Sequence, residues 1–364
     1  MKNIHWLFLF IFCFLFLSIN ALSQNNFVKV ENNQLTLYEK PVYFSGINQY
    51  YLFYKSHKMI DSVIDDAKAL NMNVIRTWAF CEGAMHEGFC YQPSPRSYHE
   101  QTFQNLDYVI YKAKKDGIRL ILTLSNNWSD FGGVDQYLKW VNDNSNHDNF
   151  FKNEQIKSIY KDYIKYVLTR TNTYTGIAYK DDPTILMWEL MNEPRCNDAN
   201  ALYIWVDEIA GFIKNIDTNH LISTGSEGSI SSDFVETHKS KNIDIASFHL
   251  YPDSWGFSDQ QSIDYIIKHA TLASETLKKP VFLSEFGLRD KQKRIDIYEK
   301  WYTTANENKV DGMLLWILSS KQDDGSLYPD YDGFTIWCPE SGNICDILKN
   351  ISTKRDYNAT LFYP

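Results

Sequence analysis

The chain has 364 residues, of which 44% are hydrophobic and 22% are charged, a balance typical of globular rather than disordered proteins. Its 36 lysines and arginines are outnumbered by 45 aspartates and glutamates, and the net charge of −9 disfavours nucleic acid as a partner. Aromatic residues make up 15% of the chain, and such rings suit both hydrophobic cores and carbohydrate-binding clefts.

The first 23 residues have the pattern of a secretory signal peptide. Lys2 supplies a basic start, an apolar run extends over residues 7–17, and residues 21–23 resemble a small-x-small cleavage site. The apolar run is shorter than the roughly 20 residues that span a membrane. We therefore expect a secreted, extracellular mature chain of residues 24–364 with no membrane anchor.

Six cysteines are present, and Cys13 lies inside the predicted signal. In an oxidising compartment the near neighbours are the candidate disulfides, although spacing cannot establish connectivity. These pairs are Cys81 with Cys90 and Cys338 with Cys345, which leaves Cys196 over. No CxxC motif or histidine at ligand spacing supports a zinc site, so neither a metal nor a cofactor is predicted. Sequons for N-glycosylation stand at Asn127, Asn350 and Asn358.

Short runs rich in Val, Ile and Leu alternate with segments of helical periodicity, which indicates parallel α/β architecture. The predicted strands cover residues 43–47, 74–77, 119–124, 185–189, 221–224, 245–249, 281–285 and 313–316. Apolar residues recur at helical spacing over residues 60–70, 103–113, 156–167 and 202–216. We predict one domain, residues 24–364, folded as an α/β (β/α)8 TIM barrel. A doubly wound sheet is the alternative, but no GxGxxG or P-loop follows an early strand.

In such a barrel the chemistry takes place at the C-terminal ends of the strands. Those predicted ends carry carboxylates, amides, an arginine, a histidine and several aromatic rings. The residues are Asn48, Arg76, Thr77, Trp78, Asn126, Asn127, Trp128, Asn192, Glu193, Glu227, His249, Tyr251, Glu285 and Trp316. This set is typical of carbohydrate-processing sites.

Two glutamates in this set are the candidate catalytic pair. Hydrolysis of a glycosidic bond needs one carboxylic acid to protonate the leaving oxygen and one carboxylate to attack the anomeric carbon or activate water. Glu193 follows the fourth predicted strand and is followed by Pro194, whereas Glu285 ends the seventh and precedes a Gly turn. We predict that Glu193 and Glu285 share one active site.

The surrounding motifs resemble those of glycoside hydrolase family 5, and within it the endo-β-1,4-mannanases of plants and fungi. They are RTWAF (76–80), NNW (126–128), WELMNEPRC (188–196) and HLYPDSW (249–255). The similarity extends from about Phe27 to past Trp316. It implies hydrolysis with retention of configuration, with Glu193 as acid/base and Glu285 as nucleophile.

Physical reasoning agrees with these roles. In a retaining pair the carboxylates oppose each other's charge, so we expect the proton on the less solvated, less hydrogen-bonded member, which is Glu193 in this assignment. Arg76 and Tyr251 are the expected partners of a charged Glu285. Asn192 is a candidate ligand for the sugar 2-hydroxyl.

His249 lies two residues before Tyr251, so on a strand the two face the same side of the sheet. Trp316, after the eighth strand, is a candidate apolar floor under the sugar. The mannanase resemblance implies that further residues form sugar subsites, namely Arg195, Glu227, Asn127, Trp128 and Trp255. Trp78 is a weaker substrate candidate, because such positions also pack structural layers of a barrel. Glu189 lies inside its strand, where a buried ion pair is the better interpretation than catalysis.

The combined prediction is a secreted, monomeric endo-β-1,4-mannosidase that acts on mannan, glucomannan or galactomannan without a cofactor. One alternative is a cellulase or another β-glycanase of the same fold, since the catalytic groups do not read the configuration at C2 of the sugar. A second is a polysaccharide-binding barrel that has lost catalysis, and a third is a metal-dependent barrel hydrolase.

Overall fold

The computed structural model describes residues 26–143, 145–228 and 234–355. The predicted signal peptide, Cys13 and the sequon at Asn358 lie outside these ranges. Within them, no helix is long and apolar enough to cross a membrane.

Eight parallel strands form the central sheet, as predicted. They are β1 (Phe44–Asn48), β2 (Val74–Trp78), β3 (Arg119–Thr123), β4 (Ile185–Glu189), β5 (Leu221–Ser223), β6 (Ala246–Leu250), β7 (Val281–Phe286) and β8 (Gly312–Leu315). The order runs from β5 through β4, β3, β2, β1, β8 and β7 to β6, so β1 pairs with both β2 and β8. A parallel bridge between Ser223 and Ile245 joins the two remaining edges. The sheet is therefore a closed barrel, and the doubly wound alternative is wrong.

A helix follows each strand and packs on the outside of the barrel. These helices are α1 (His57–Ala69), α2 (Glu100–Asp116), α3 (Glu154–Thr169), α4 (Ala199–Lys214), α5 (Phe234–His238), α6 (Asp259–Thr271), α7 (Arg294–Glu307) and α8 (Asn343–Arg355). In α2 the predicted apolar stripe from Phe103 to Ala113 is buried, and Gly117 ends the helix with a left-handed φ of 70°. The periodicity of the sequence therefore predicts which face of the helix meets the sheet.

Shorter elements lie outside the eight strand and helix pairs of the barrel. A three-stranded antiparallel sheet (Lys29–Glu31, Gln34–Leu37, Lys40–Pro41) precedes β1 and contributes Leu35 and Leu37 to an apolar cluster with Phe44, Leu186 and Phe282. This cluster covers the N-terminal end of the barrel. The remaining short segments are the helices Gly133–Trp140, Asn149–Lys152 and Pro252–Trp255, the 3-10 turns Tyr50–Phe53 and Tyr179–Asp181, the π-helical Leu272–Leu277, and the strands Leu318–Ser319 and Ile336–Trp337.

The cysteines agree with the prediction in one pair and contradict it in the other. Cys338 and Cys345 form a disulfide, as predicted. Cys81 and Cys90 are both free and buried, so the predicted bridge between them is wrong. The Cys90 thiol instead donates to the backbone carbonyl of Cys81 at 2.8 Å. Cys196 is free and buried.

Candidate active site

The C-terminal ends of the strands surround a cavity of about 660 Å³. Most of the predicted site residues line it: Trp78, Trp128, Asn192, Glu193, Arg195, Glu227, Tyr251, Trp255, Glu285 and Trp316. Arg76 and His249 are buried completely and Asn127 is 6% exposed, and these three lie beneath the lining and contact residues that form it. The structure therefore gathers the predicted residues at one end of the barrel in two layers.

Glu193 lies on a turn after β4 with an unusual backbone conformation. Its φ is +52°, in the left-handed region that non-glycine residues rarely adopt, and its N–H donates to the Gly225 carbonyl at 2.9 Å. Its carboxylate accepts from the Trp128 indole N–H at 2.7 Å and lies 2.8 Å from Nδ1 of His249. The bend thus holds the carboxylate in the cavity between two ring donors.

Glu285 lies inside β7 and has the two partners that the sequence predicts for it. Nη1 of Arg76 donates to one carboxylate oxygen at 2.5 Å, and the Tyr251 hydroxyl donates to the other at 2.6 Å. Both oxygens are therefore held, and the plane of the carboxylate is determined by two donors, one on β2 and one directly after β6.

One oxygen each of Glu193 and Glu285 and one ring nitrogen of His249 all lie within 4.8 Å of one another. Retaining glycosidases place their carboxyls about 5 to 5.5 Å apart, whereas inverting ones need about 6.5 to 9.5 Å to admit a water. The nearest oxygens of the two glutamates are therefore close enough for the retaining arrangement. These three groups could also ligate a metal ion. Nδ1 of His249, however, is already in contact with the Glu193 carboxylate at 2.8 Å.

The pKa values in this cluster depend on His249. Burial opposes protonation of the imidazole, but the Glu285 and Glu193 carboxylates raise the pKa of His249 above its ordinary value. Burial also favours a neutral Glu193, yet the hydrogen bond with His249 brings the pKa of Glu193 below its usual range. Burial raises the pKa of Glu285, against the charges of His249 and Arg76, which lower it. The directions of these two shifts favour a proton on His249 over a proton on Glu193.

Beneath the carboxylates, Arg76 is the centre of a buried polar network. It forms the buried ion pair with Glu189 that the sequence predicts, at 2.5 Å between Nη2 and Oε1. The same Nη2 donates to the Asn192 side-chain oxygen at 2.8 Å, and the Asn192 amide donates to Asn126 at 3.1 Å. Asn192 is therefore held in one orientation at the cavity surface.

On one side of the cavity the wall is aromatic. The Trp316 ring lies 6.0 Å from Tyr50 at an interplanar angle of 24° and 6.0 Å from Trp78. The Trp316 indole N–H donates to Asp332 at 2.7 Å. The guanidinium carbon of Arg76 lies 4.8 Å from the centre of the Trp78 ring, so Trp78 both lines the cavity and covers the buried network.

On the opposite side Arg195 and Glu227 form a bidentate ion pair. Nε and Nη2 of Arg195 donate to the two carboxylate oxygens of Glu227, each at 2.6 Å. The Arg195 guanidinium lies 4.6 Å from the centre of the Trp128 ring, which is 40% exposed. The side-chain oxygen of Asn127 accepts from the Arg195 backbone N–H at 3.1 Å. Asn127 therefore supports a lining residue, and its neighbour Asn126 lines the cavity instead.

Several lining residues escaped the sequence prediction. They are Tyr50, Tyr54, His86, Glu87, Asp130, Phe131, Ser254, Tyr328, Tyr331, Asp332 and Phe334. Many stand in loops distant from a strand end. The segment YPDYDGF (328–334) holds four of them, and its alternation of aromatic and acidic residues before a Gly turn is a signal that could have indicated a site loop.

Comparisons with known proteins agree with this geometry. The family model described as GH family 5 beta-mannosidase-like matches residues 25–328. The chain is 39% identical over 331 residues to the putative mannan endo-1,4-beta-mannosidase 4 of Arabidopsis thaliana, covering 81% of this chain and 79% of that protein. It is also 39% identical over 322 residues to the mannan endo-1,4-beta-mannosidase 4 of Solanum lycopersicum, covering 78% of this chain and 80% of that one.

Solved structures show the same relationship. The endo-beta-1,4-mannanase of Thermotoga petrophila superposes with a TM-score of 0.81 at 33% identity, covering 88% of this chain and 78% of its own. The endo-1,4-beta-mannanase of Rhizomucor miehei superposes with a TM-score of 0.82 at 32% identity, covering 90% of this chain and 99% of its own.

Proposed function

The chain belongs to glycoside hydrolase family 5, among its beta-mannosidase-like members, and we propose that it hydrolyses internal β-1,4 linkages of mannan, glucomannan or galactomannan with retention of configuration. The observation that carries the proposal is the pair of glutamates with carboxylate oxygens within 4.8 Å at a strand-end cavity. The similarity to plant and microbial proteins named as mannan endo-1,4-beta-mannosidases supports the choice of substrate.

In the first step, an oxygen of Glu285 attacks the anomeric carbon while Glu193 protonates the departing glycosidic oxygen. The carbon–oxygen bond to the leaving sugar breaks, and a glycosyl ester with Glu285 forms. Arg76 and Tyr251 hold both Glu285 oxygens and orient the nucleophile. The proton on His249 can move to Glu193 along their 2.8 Å contact before each attack.

In the second step, Glu193 has lost its proton and acts as a base. It takes a proton from a water molecule as the water oxygen attacks the anomeric carbon, and the ester bond to Glu285 breaks. Two inversions at the same carbon restore the original β configuration. Each step leaves one proton on the Glu193–His249 pair or takes it from there, so the site returns to its starting state.

Cleavage within a chain requires that sugars bind on both sides of the catalytic pair. Tyr50, Trp78 and Trp316 reach the cavity from the side of β1, β2 and β8, and Arg195 and Trp255 reach it from the side of β4 and β6. Aromatic faces and polar groups on opposite sides suit a polysaccharide that runs across the barrel mouth. This arrangement supports endo-hydrolysis.

The test compares ivory-nut mannan with carboxymethylcellulose as substrates for the wild-type enzyme and a Glu285→Gln variant purified in parallel. We expect short manno-oligosaccharides from mannan with the wild type alone, with the β-anomer appearing first by proton NMR. Faster hydrolysis of carboxymethylcellulose would assign the enzyme to the cellulases instead. The same assay in EDTA tests the metal-dependent alternative, which requires loss of activity.

We also propose that the enzyme is secreted as a monomer consisting of residues 24–364. The N-terminal apolar run supports export, and N-terminal sequencing of protein from the medium tests it, since a first residue of Gln24 is expected. Asn127 is 6% exposed and bonded to Arg195, so we expect its sequon to carry no glycan in a peptide mass map. The mass of the purified protein from light scattering tests whether it is a monomer.

A further inference from the structure

Glu189, the last residue of β4, is a buried carboxylate to which the two reaction steps assign no task. It is 1% exposed and lies below the cavity lining. One of its oxygens, Oε1, accepts from Nε of Arg76 at 2.8 Å, from Nη2 of Arg76 at 2.5 Å and from the Thr123 hydroxyl at 2.8 Å. Three donors on one oxygen make Glu189 the most closely held partner of Arg76.

This contact determines which edge of the guanidinium faces the nucleophile. Glu189 engages the edge formed by Nε and Nη2, which leaves Nη1 to donate to Glu285 at 2.5 Å and to Asn48 at 3.0 Å. The guanidinium is planar and rigid, so fixing one edge fixes the other. The contacts with Glu189 therefore oppose a rotation of the Arg76 guanidinium that would break its hydrogen bond to Glu285.

The backbone next to Glu189 is built closely around its side chain. Gly225, after β5, has a φ of +78°, and a Cβ at this position would lie 2.8 Å from the carboxyl carbon of Glu189 and 2.0 Å from the Met191 carbonyl oxygen. Only glycine fits both the conformation and the space. The same loop accepts the Glu193 N–H at the Gly225 carbonyl, which links the position of Glu189 to the turn that carries Glu193.

We propose that Glu189 is a positioning residue for the reaction: it orients Arg76 toward Glu285 and shares the positive charge of that arginine, which keeps the nucleophile basic. The proposal rests on the proposed function of Glu285. An arginine that donated only to the nucleophile would favour its charged form strongly and weaken it as a base. In agreement, the pKa of Glu285 is raised by burial even though Nη1 of Arg76 lies 2.5 Å away.

The variant Glu189→Gln separates charge from shape. The glutamine carbonyl can take the place of Oε1 and accept the same three donors, while the negative charge is removed. Arg76 then acts on Glu285 with its full charge, and the pKa of Glu285 falls. We expect the acidic limb of kcat/KM to move down by about half to one pH unit. At the pH optimum we expect kcat/KM to fall on the order of tenfold with little change in KM.

A second measurement isolates the nucleophile. An activated 2-deoxy-2-fluoro β-mannoside inactivates retaining enzymes by trapping the glycosyl ester and needs little acid assistance. Its inactivation rate as a function of pH therefore reports the ionisation of Glu285, and the midpoint is expected to fall in Glu189→Gln. In Glu189→Asp the charge remains, but the side chain is one methylene shorter and the carboxylate lies farther from Arg76. We therefore expect a lower inactivation rate, with the midpoint of its pH dependence near that of the wild type.

The matched control is Asp107→Asn. Asp107 is another buried carboxylate bonded by the Nε and Nη2 of an arginine, Arg170, at 3.0 and 2.7 Å, but it lies on α2 outside the cavity. We expect this variant to lose stability while its acidic limb stays in place. An acidic limb that is unmoved in Glu189→Gln, or moved equally in Asp107→Asn, overturns the proposal.

Folding and substrate choice are checked separately. Thr123→Val removes one donor to Glu189 and leaves the charge of Glu189, so it offers a milder perturbation if Glu189→Gln does not fold. We expect kcat/KM to fall a few-fold while the acidic limb of its pH profile stays in place. An unchanged kcat/KM in Thr123→Val would contradict the proposal. Wild-type hydrolysis of mannan tests the proposed function by itself. If the wild type prefers another β-glycan, the pH profiles of kcat/KM are measured on that substrate. The comparison of Glu189→Gln with the wild type then still tests the role of Glu189.

Discussion

Replacement of Arg76 by lysine keeps the charge and removes the planar fork. The Arg76 guanidinium makes five hydrogen bonds, which reach Glu189, Glu285, Asn48 and Asn192. A lysine ammonium has three hydrogens, so at least one of the four acceptor groups loses its donor. A buried acceptor without a donor costs about 1 to 3 kcal/mol, and the free energy of unfolding is expected to fall by at least that amount.

The same change weakens the support of Glu285, the proposed nucleophile. A hydrogen bond to a charged group contributes about 1.5 to 3 kcal/mol, and its loss corresponds to a decrease of about tenfold to a hundredfold in kcat/KM. Arg76 lowers the pKa of Glu285, against burial, which raises it. In Arg76→Lys that pKa rises, and because Glu285 must be ionised to attack, the acidic limb of the profile moves upward. The direction is opposite to that expected for Glu189→Gln.

The assay is the pH dependence of kcat/KM on mannopentaose, measured beside thermal unfolding. Arg170→Lys is the matched control, because Arg170 pairs with the buried Asp107 away from the cavity. It should lose stability and keep its acidic limb. An unchanged limb and an unchanged rate in Arg76→Lys would assign Arg76 to structural packing and refute the reasoning.

Three further predictions concern single residues. Glu285→Gln should abolish turnover with the fold preserved, and azide should restore Glu285→Ala with an α-configured glycosyl azide as product; near-native hydrolysis by the Gln variant would exclude Glu285 as nucleophile. Glu193→Ala should slow mannan cleavage severely and spare the glycosylation step on activated aryl mannosides, and equal losses on both substrates would exclude Glu193 as the acid. Burial lowers the pKa of His238 to about 3, and the Ser247 N–H donates to its Nε2, so the folded state holds it neutral. The unfolded state takes up that proton at about pH 6.5, so stability should fall by about 1.4 kcal/mol per pH unit below that value, and denaturant titrations of His238→Gln at pH 7 and 5 should show a shallower loss.

The strands and their order along the chain follow from local patterns. Strands buried on both faces are short runs of Val, Ile and Leu, and the helices between them show a stripe at a spacing of three to four residues. For this reason the eight predicted strands match the observed ones to within two residues at each end. The position of Glu193 and Glu285 at the cavity follows as well, because parallel strands in a barrel bring all their C-terminal ends to one face.

Other features depend on contacts between distant parts of the chain. Asn126 and Asn127 are adjacent, yet one lines the cavity and the other lies under it, bonded to Arg195. Cys81 and Cys90 are close in sequence, but both are free, and the Cys90 thiol donates to the Cys81 carbonyl. Spacing along a chain limits how far apart two residues can be, but it does not determine where their side chains point.

The location of the proton is likewise a property of the tertiary structure. The residue types alone predict a protonated Glu193 opposite a charged Glu285, because two close carboxylates oppose each other's charge. The fold places His249 between them, 2.8 Å from one and 3.5 Å from the other, and its ring competes for the same proton. The sequence therefore determines the barrel, the family and the place of both glutamates at the ends of strands, since these depend on local pattern and motif. The tertiary structure decides how each group is oriented and which charges surround it, since these depend on burial and on partners brought together from distant parts of the chain.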